Sequence, residues 1–104
     1  MSVDDLICEA LSGRGAQRIP PEVLEGLIDP LRERGFYISS MEAFEQSGEW
    51  WRTDLDRSML GLNGEDHWPE EGFVDGMVDL ARSKIASAKA SGSEFIFTVW
   101  LMDI

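Results

Sequence analysis

The sequence predicts a single α+β domain over residues 1–104, with about three antiparallel strands and three or more helices packed on one face of the sheet. Two observations carry this prediction. A long amphipathic helical repeat lies near the C-terminus, and an apolar run with the alternation of a strand follows it directly. A chain of 104 residues forms one core, and 43% hydrophobic residues are enough to fill it.

The first helix is predicted from apolar residues at helical spacing near the N-terminus. Ser2 is placed as its N-cap, and Asp5 stands three residues later, where it completes a capping box. Residues 13–19, which include two glycines, are predicted to form a loop. The apolar positions of the helix are Val3, Leu6, Ile7, Ala10 and Leu11.

A second helix is predicted to begin at Pro20-Pro21, because proline is favoured in the first helical turn. Pro30 falls inside its apolar repeat. Since proline lacks the backbone donor and clashes with the preceding turn, we expect the helix to kink or restart near Asp29 and to stop at Gly35.

The middle of the chain predicts a strand at 36–39 and is ambiguous after it. One helical stripe fits residues 41–55, whereas Ser47-Gly48 is a natural break and the residues after it alternate as in a strand. We favour a turn or short helix from Met41 to Gln46, followed by a strand from Glu49 to Leu55. A turn is predicted at 62–65.

The last third gives the clearest pattern. A helix is predicted to begin at Pro69 and to end at Gly92, and a strand is predicted from Glu94 to Met102. Both faces of this strand are apolar, which is typical of an interior strand. The helical stripe consists of Phe73, Val74, Met77, Val78, Ala81, Ile85 and Ala88.

The charge of the chain is strongly negative and unevenly distributed. The formal net charge is −11, and eleven acidic residues stand against two arginines between Glu42 and Asp79. Such a field attracts cationic partners and repels nucleic acid and anionic membranes. Acidic residues early in the last helix are also explained by the helix dipole, so the acidity that points to a partner lies between Glu42 and Asp66.

The residues that support catalysis are scarce, so the sequence predicts a non-enzymatic protein without metal or cofactor. His67 is the sole histidine, and three adjacent residues such as Glu65-Asp66-His67 do not converge easily on one ion. An enzyme that uses His67 with neighbouring carboxylates is the less favoured alternative. Because Cys8 is the sole cysteine and the first residues lack a signal-peptide pattern, we expect a cytoplasmic protein.

Three tryptophans lie within the acidic segment, where aromatic rings among carboxylates often serve as binding anchors. Asp54 and Asp56 are spaced to share one side of a strand, which fits either a solvated edge or a partner surface. The predicted partner-binding residues are Tyr37, Glu49, Trp50, Trp51, Asp54, Asp56, Glu65, Asp66 and Trp68.

Four short motifs within residues 32–102 resemble the immunity proteins that protect bacteria from tRNA-cleaving colicins. They are Arg34-Gly35-Phe36-Tyr37-Ile38, the pair Arg52 and Asp54, Trp68-Pro69-Glu70-Glu71, and Phe95-Ile96-Phe97-Thr98. The resemblance implies a non-enzymatic inhibitor whose acidic and aromatic groups occupy a basic nuclease cleft in place of RNA. It assigns the contacts with lysine and arginine of the toxin to Trp51, Asp54 and Asp56.

A second hypothesis is an antiactivator that binds a transcription regulator and blocks its dimerisation or DNA binding. Its apolar surface would consist of Trp50, Met59, Leu60 and Leu62. Binding would then be nearly insensitive to salt, whereas a basic cleft on an acidic face gives strong salt dependence. Neither hypothesis involves direct contact with nucleic acid or membrane, and both leave a homodimer open.

Overall fold

A computed structural model describes residues 1–11, 13–59 and 72–104 as an α+β fold. The described residues form three helices and an antiparallel sheet of four strands in the order β1-β4-β2-β3, against about three predicted. The elements are α1 (Val3–Ala10), β1 (Ala16–Ile19), α2 (Pro21–Glu33), β2 (Phe36–Ser47), β3 (Trp50–Met59), α3 (Phe73–Ala90) and β4 (Phe95–Asp103).

The helices cover one face of the sheet, which β4 shows most clearly. Its residues at 95, 97, 99 and 101 are buried in one cluster with apolar residues of all three helices. Its alternate residues are half-buried or exposed. Because β4 pairs with both β1 and β2, the prediction of an interior C-terminal strand is confirmed.

The two N-terminal helices follow the sequence pattern closely. The Ser2 hydroxyl accepts from the Asp5 backbone N–H, and the Asp5 carboxylate accepts from the Ser2 N–H, so the capping box is present. The hydrogen bonds that Ser2 makes to the carboxylate, that of its backbone N–H first, lower the pKa of Asp5. In α2 the predicted restart is wrong: the helix runs unbroken through Pro30. The carbonyl that Pro30 leaves without a donor belongs to Gly26, which is exposed and open to water.

The prediction of a turn or helix over Met41–Gln46 is wrong, because β2 continues through these residues to Ser47. They pair with β4 on one side and with β3 on the other, and these long-range ladders override the local helical stripe. The predicted break is the β2–β3 turn, where Gly48 has φ +63°. The strand predicted from Glu49 to Leu55 is confirmed and extends to Met59.

The predicted loop at 13–19 contains a strand that the sequence did not reveal. Ala16 pairs with Val99 and Ile19 with Phe97, and the ladder is irregular between them. Arg18 lies at this irregularity with φ +60°, a left-handed conformation that is uncommon for a residue with a side chain. Four residues with a bulge carry too little alternation to identify a strand.

The second half of β3 contains a wide bulge. Met41 and Ala43 are two residues apart on β2, whereas their partners Met59 and Asp54 are five apart on β3. The Ser58 hydroxyl fills the gap, because it accepts from the Ala43 N–H at 2.9 Å and donates to the Asp54 carbonyl at 2.6 Å. Ser58 is the one buried polar residue among those described, and it replaces a ladder hydrogen bond.

We expect Ser58→Ala to lower the free energy of unfolding by about 1–3 kcal/mol, because it leaves the buried Ala43 N–H without an acceptor. Urea unfolding measures the change. Ser83→Ala, on the exposed side of α3, is the control and is expected to change stability by less than about 0.5 kcal/mol. Equal stability of the two variants would contradict the bridging role of Ser58.

No helix within the described ranges is long and apolar enough to cross a membrane. Cys8 is exposed on α1.

The turn predicted at 62–65, and the start of the last helix predicted at Pro69, lie outside the described residues. The end of that helix fits the prediction, since α3 ends at Ala90.

Candidate functional site

The β2–β3 turn presents two tryptophans to solvent. Trp50 is 78% exposed and Trp51 is 43% exposed, at the start of the edge strand β3. Leu55, further along the same strand at the bulge, is 76% exposed. Large exposed apolar side chains at a sheet edge are candidates for contact with a partner. Because neighbouring residues of a strand face opposite sides, Trp50 and Trp51 lie on opposite faces of the hairpin. We call Glu49, Trp50, Trp51, Leu55 and Asp56 the hairpin surface.

The two arginines of this region each have an acidic partner. Arg52 pairs with Glu45 across the hairpin at 3.2 Å, and Arg57 pairs with Asp54 at 2.6 Å. The exposed carboxylates of Glu49 and Asp56, by contrast, make no ion pair with any described residue. The side chains of Glu49 and Asp56 therefore carry negative charge outside any ion pair of the described residues, although the Lys84 ammonium lies at the Asp56 backbone carbonyl.

Asp54 and Asp56 lie where the register of β3 becomes irregular, so the regular strand spacing that the prediction assumed is absent there. The Asp54 carboxylate is half-buried, and it accepts from the Arg57 backbone N–H at 3.2 Å and from the Arg57 guanidinium. Burial raises the pKa of Asp54, but the hydrogen bonds from Arg57 outweigh it, so the pKa lies below the ordinary value of 3.8. Asp54 holds the bulge in shape, and Asp56 remains exposed.

This lowered pKa predicts an acid-sensitive contribution to stability. A carboxylate with a lower pKa in the folded state stabilises the protein above its unfolded pKa of about 3.9 and loses that effect as the pH falls through the folded value. We expect Asp54→Asn to cost about 1–2 kcal/mol at neutral pH and much less at pH values below both pKa values. Urea unfolding across the acid range measures it.

The matched control for that experiment is Asp56→Asn, because Asp56 is exposed and makes no ion pair with a described residue. This variant is expected to follow the wild-type pH dependence. If Asp54→Asn lost the same stability at every pH, its effect would be one of packing and the charged pair with Arg57 would have no role.

Arg57 fastens the bulge to the rest of the fold. Its guanidinium carbon lies 5.1 Å from the centre of the Phe95 ring, and its Nε donates to the Ser87 hydroxyl of α3 at 3.1 Å. Lys84 of α3 also donates to the Asp56 backbone carbonyl. These contacts join the second half of β3 to α3. They could not be predicted from the sequence, because the partners lie about thirty residues apart.

Tyr37 does not belong to the hairpin surface. It is only 9% exposed, and its ring meets Phe73 edge to face with the centroids 6.1 Å apart. The prediction of Tyr37 as a partner contact is therefore corrected, because a phenol in this position is part of the core. The predicted contacts Glu65, Asp66 and Trp68 lie outside the described residues.

Trp51 also forms one wall of a cleft of about 410 Å³ between the hairpin, the start of α2 and the end of α3. Glu22 and Glu94 line the same cleft, and neither carboxylate has an ion-pair partner among the described residues. Lys89 lines the same cleft and pairs with Glu25, so the cleft presents charges of both signs beside the indole. Sequence reasoning missed Glu22 and Glu94, because they come from distant segments.

The described residues hold no group of three or more histidine, cysteine, aspartate or glutamate side chains placed to bind a metal ion. No protein-family model matches the chain, and no curated protein is similar to it.

Proposed function

We propose that this chain is a small acidic cytoplasmic binding protein that inhibits a basic protein partner by occlusion, in the manner of the immunity proteins it resembles. The partner in this proposal is a toxin nuclease domain. The observation that carries it is that two exposed tryptophans and the carboxylates of Glu49 and Asp56, which make no ion pair with a described residue, lie on one hairpin.

The contrast with the helices supports this assignment. Four acidic residues of the helices make ion pairs within the fold: Asp4 with Arg34, Asp29 with Arg82, Glu25 with Lys89, and Asp75 with Arg32. Those carboxylates stabilise contacts within the fold. Glu49 and Asp56 have no such role, so their charge is available to a cationic surface that approaches the hairpin.

The shape of the site also fits a protein partner better than a small substrate. Trp50 projects from a turn, whereas the pockets of enzymes are concave and enclose their ligands. A projecting tryptophan anchors well in a cleft on the partner, and a basic nuclease cleft offers both the concavity and the charge.

The experiment that tests the proposal reverses the hairpin charge. The double variant Glu49→Lys/Asp56→Lys is expected to bind the basic partner at least about tenfold more weakly at low salt and to lose most of the salt dependence. The control is Glu33→Lys/Asp79→Lys, which changes the net charge equally on the exposed helices. The wild type and both variants are first used as baits to capture the partner from lysate of the native cell. The purified partner is then titrated with each of the three proteins to measure its affinity at low and high salt.

Equal weakening by the two double variants would show that net charge matters and the hairpin does not. Unchanged affinity of the hairpin variant at both low and high salt would contradict the proposal outright.

A second candidate function is the antiactivator, and one observation now favours a different surface for it. Met59 is buried, and Leu60 and Leu62 lie outside the described residues, so the predicted apolar surface is reduced to Trp50. The sheet face opposite the helices, however, carries an apolar stripe. Its members are Phe44, Ile96, Trp100 and Met102.

Binding of a transcription regulator through that stripe predicts a complex that high salt does not weaken. Met102→Glu, at a position 48% exposed, would abolish such a complex and leave hairpin binding intact. The two functions are therefore separable by one variant on each surface.

A further inference from the structure

The outer edge of the sheet at β3 has a regular stretch that ends at the bulge. Among the residues that the structure describes, β3 pairs only with β2, and its register is continuous from Trp50 to Asp54. The opposite edge is different, since β1 has four residues and a bulge at Arg18. Natural proteins usually blunt their edge strands with bulges, prolines or lysines, and residues 50–54 contain neither proline nor lysine.

The hydrogen bonds of β2 fix which groups of β3 point outward. The Gln46 N–H donates to the Glu94 carbonyl at 2.9 Å, toward β4, and the Ala43 N–H points to Ser58 of β3. Because these directions alternate along a strand, Phe44 and Gln46 both face β4. Their cross-strand partners are Thr53 and Trp51, which therefore direct their N–H and C=O groups away from β2.

Trp51 and Thr53 thus offer two donor and acceptor pairs about 7 Å apart along the free edge, which is the spacing that an antiparallel strand requires. We propose that the partner binds by adding an extended cationic strand to this edge of β3; this inference rests on the proposed function. The backbone of the added strand pairs with Trp51 and Thr53, and its lysines or arginines meet the carboxylates of Glu49 and Asp56.

The charge selects this occupant over a second copy of the chain. Each copy carries a net charge of −11. Antiparallel pairing of two β3 edges would bring the Glu49 end of one beside the Asp56 end of the other, and neither carboxylate has an ion-pair partner among the described residues. A cationic strand makes the opposite arrangement favourable. A lysine or arginine placed across from Trp51 also lies on the same face as the indole and stacks on it.

The test uses a short blocked peptide of alternating lysine and valine as the probe. Its control is the same sequence with N-methyl groups on the backbone nitrogens of alternate residues, which keeps the charge and removes the donors. We expect the unmodified peptide to bind at least about tenfold more tightly than the methylated one. Amide hydrogen exchange at Trp51 and Thr53, fast in the free protein, is expected to slow in the complex.

Two variants address the same edge from the side of the protein. Thr53→Pro removes one outward donor and is tolerated at an edge position, whereas Thr53→Ala keeps that donor and is the matched control. We expect Thr53→Pro to weaken peptide binding about tenfold and Thr53→Ala to leave it unchanged. If Thr53→Pro does not fold, hydrogen exchange at Trp51 and Thr53 of the wild type, with and without the peptide, still tests strand addition.

Equal binding of both peptides with fast exchange at Trp51 and Thr53 would overturn strand addition and leave the acidic binding function standing. Binding of neither peptide would also overturn strand addition, and the charge-reversal experiment at Glu49 and Asp56 would then decide the acidic binding function by itself. A dimer that forms with rising protein concentration and protects these two amides, seen by sedimentation and hydrogen exchange, would assign the edge to a second copy and overturn the proposal.

Discussion

Replacing Trp50 and Trp51 together with alanine is expected to weaken the partner complex at least about a hundredfold, which corresponds to about 2.7 kcal/mol. Tryptophan is strongly enriched among the residues that dominate binding energies. Replacing one with alanine at the centre of an interface commonly costs about 2 kcal/mol or more of binding free energy. Both indoles are solvent-exposed in the free protein, so the stability of the fold is expected to fall by less than about 1 kcal/mol.

The control for this variant is Leu11→Ala, which shortens an apolar side chain that is 57% exposed at the end of α1. It is expected to bind as the wild type does. Titration calorimetry gives the affinities, and urea unfolding confirms that both variants are folded. A tryptophan variant that binds within about threefold of the wild type would remove the hairpin from the interface.

Gly15→Ala is expected to lower the free energy of unfolding by about 2–4 kcal/mol, the largest single effect that we predict for the fold. Gly15 has φ +71°, and a Cβ there would stand 2.7 Å from the Val99 carbonyl oxygen and 2.9 Å from the Trp100 ring. The carbonyl belongs to the interior strand β4 and cannot move without disturbing the sheet. The glycine is therefore required both by its backbone angle and by the close approach of Trp100.

Gly13→Ala is the matched control, because no atom lies within 4 Å of a Cβ at Gly13 and its φ is not positive. Thermal or urea unfolding separates the two variants. If both substitutions changed stability equally, the packing of Trp100 on Gly15 would not be a structural requirement.

The parts of the fold that the sequence predicted are those with a strong local pattern. The capping box at Ser2 and Asp5, the stripe of α3 and the apolar alternation of β4 each identify an element without reference to the rest of the chain. In each helix or strand the apolar residues recur with the period of its buried face, so the pattern can be recognised from neighbouring residues alone.

The parts that the sequence did not predict depend on distant partners. β1 exists because Ala16 and Ile19 pair with β4, more than seventy residues away in the chain. The strand at Met41–Gln46 had a competing helical stripe, and only its two neighbouring strands decide its conformation. Ser58 bridges a bulge in β3, and no local sequence motif predicts that bulge.

The candidate site was predicted in part. The exposure of Trp50 and Trp51 and of the Glu49 and Asp56 carboxylates agrees with the predicted partner surface. Asp54 was assigned to that surface because its spacing from Asp56 assumed a regular strand, and the bulge removes that assumption. Counting acidic residues therefore included carboxylates that the fold uses in its own ion pairs, such as Glu45 and Asp54. Among the described residues of the hairpin, Glu49 and Asp56 make no ion pair.

The most direct test of the proposed inhibitor function is photocrosslinking from the hairpin in the native cell. Trp50 is replaced by p-benzoylphenylalanine in one strain, and Asp79 on α3 is replaced by the same residue in a control strain. We predict one covalent adduct from position 50, with a protein of basic isoelectric point, and none with that protein from position 79. Adducts with the same protein from both positions, or no adduct from position 50, would contradict the assignment of the hairpin as the binding surface.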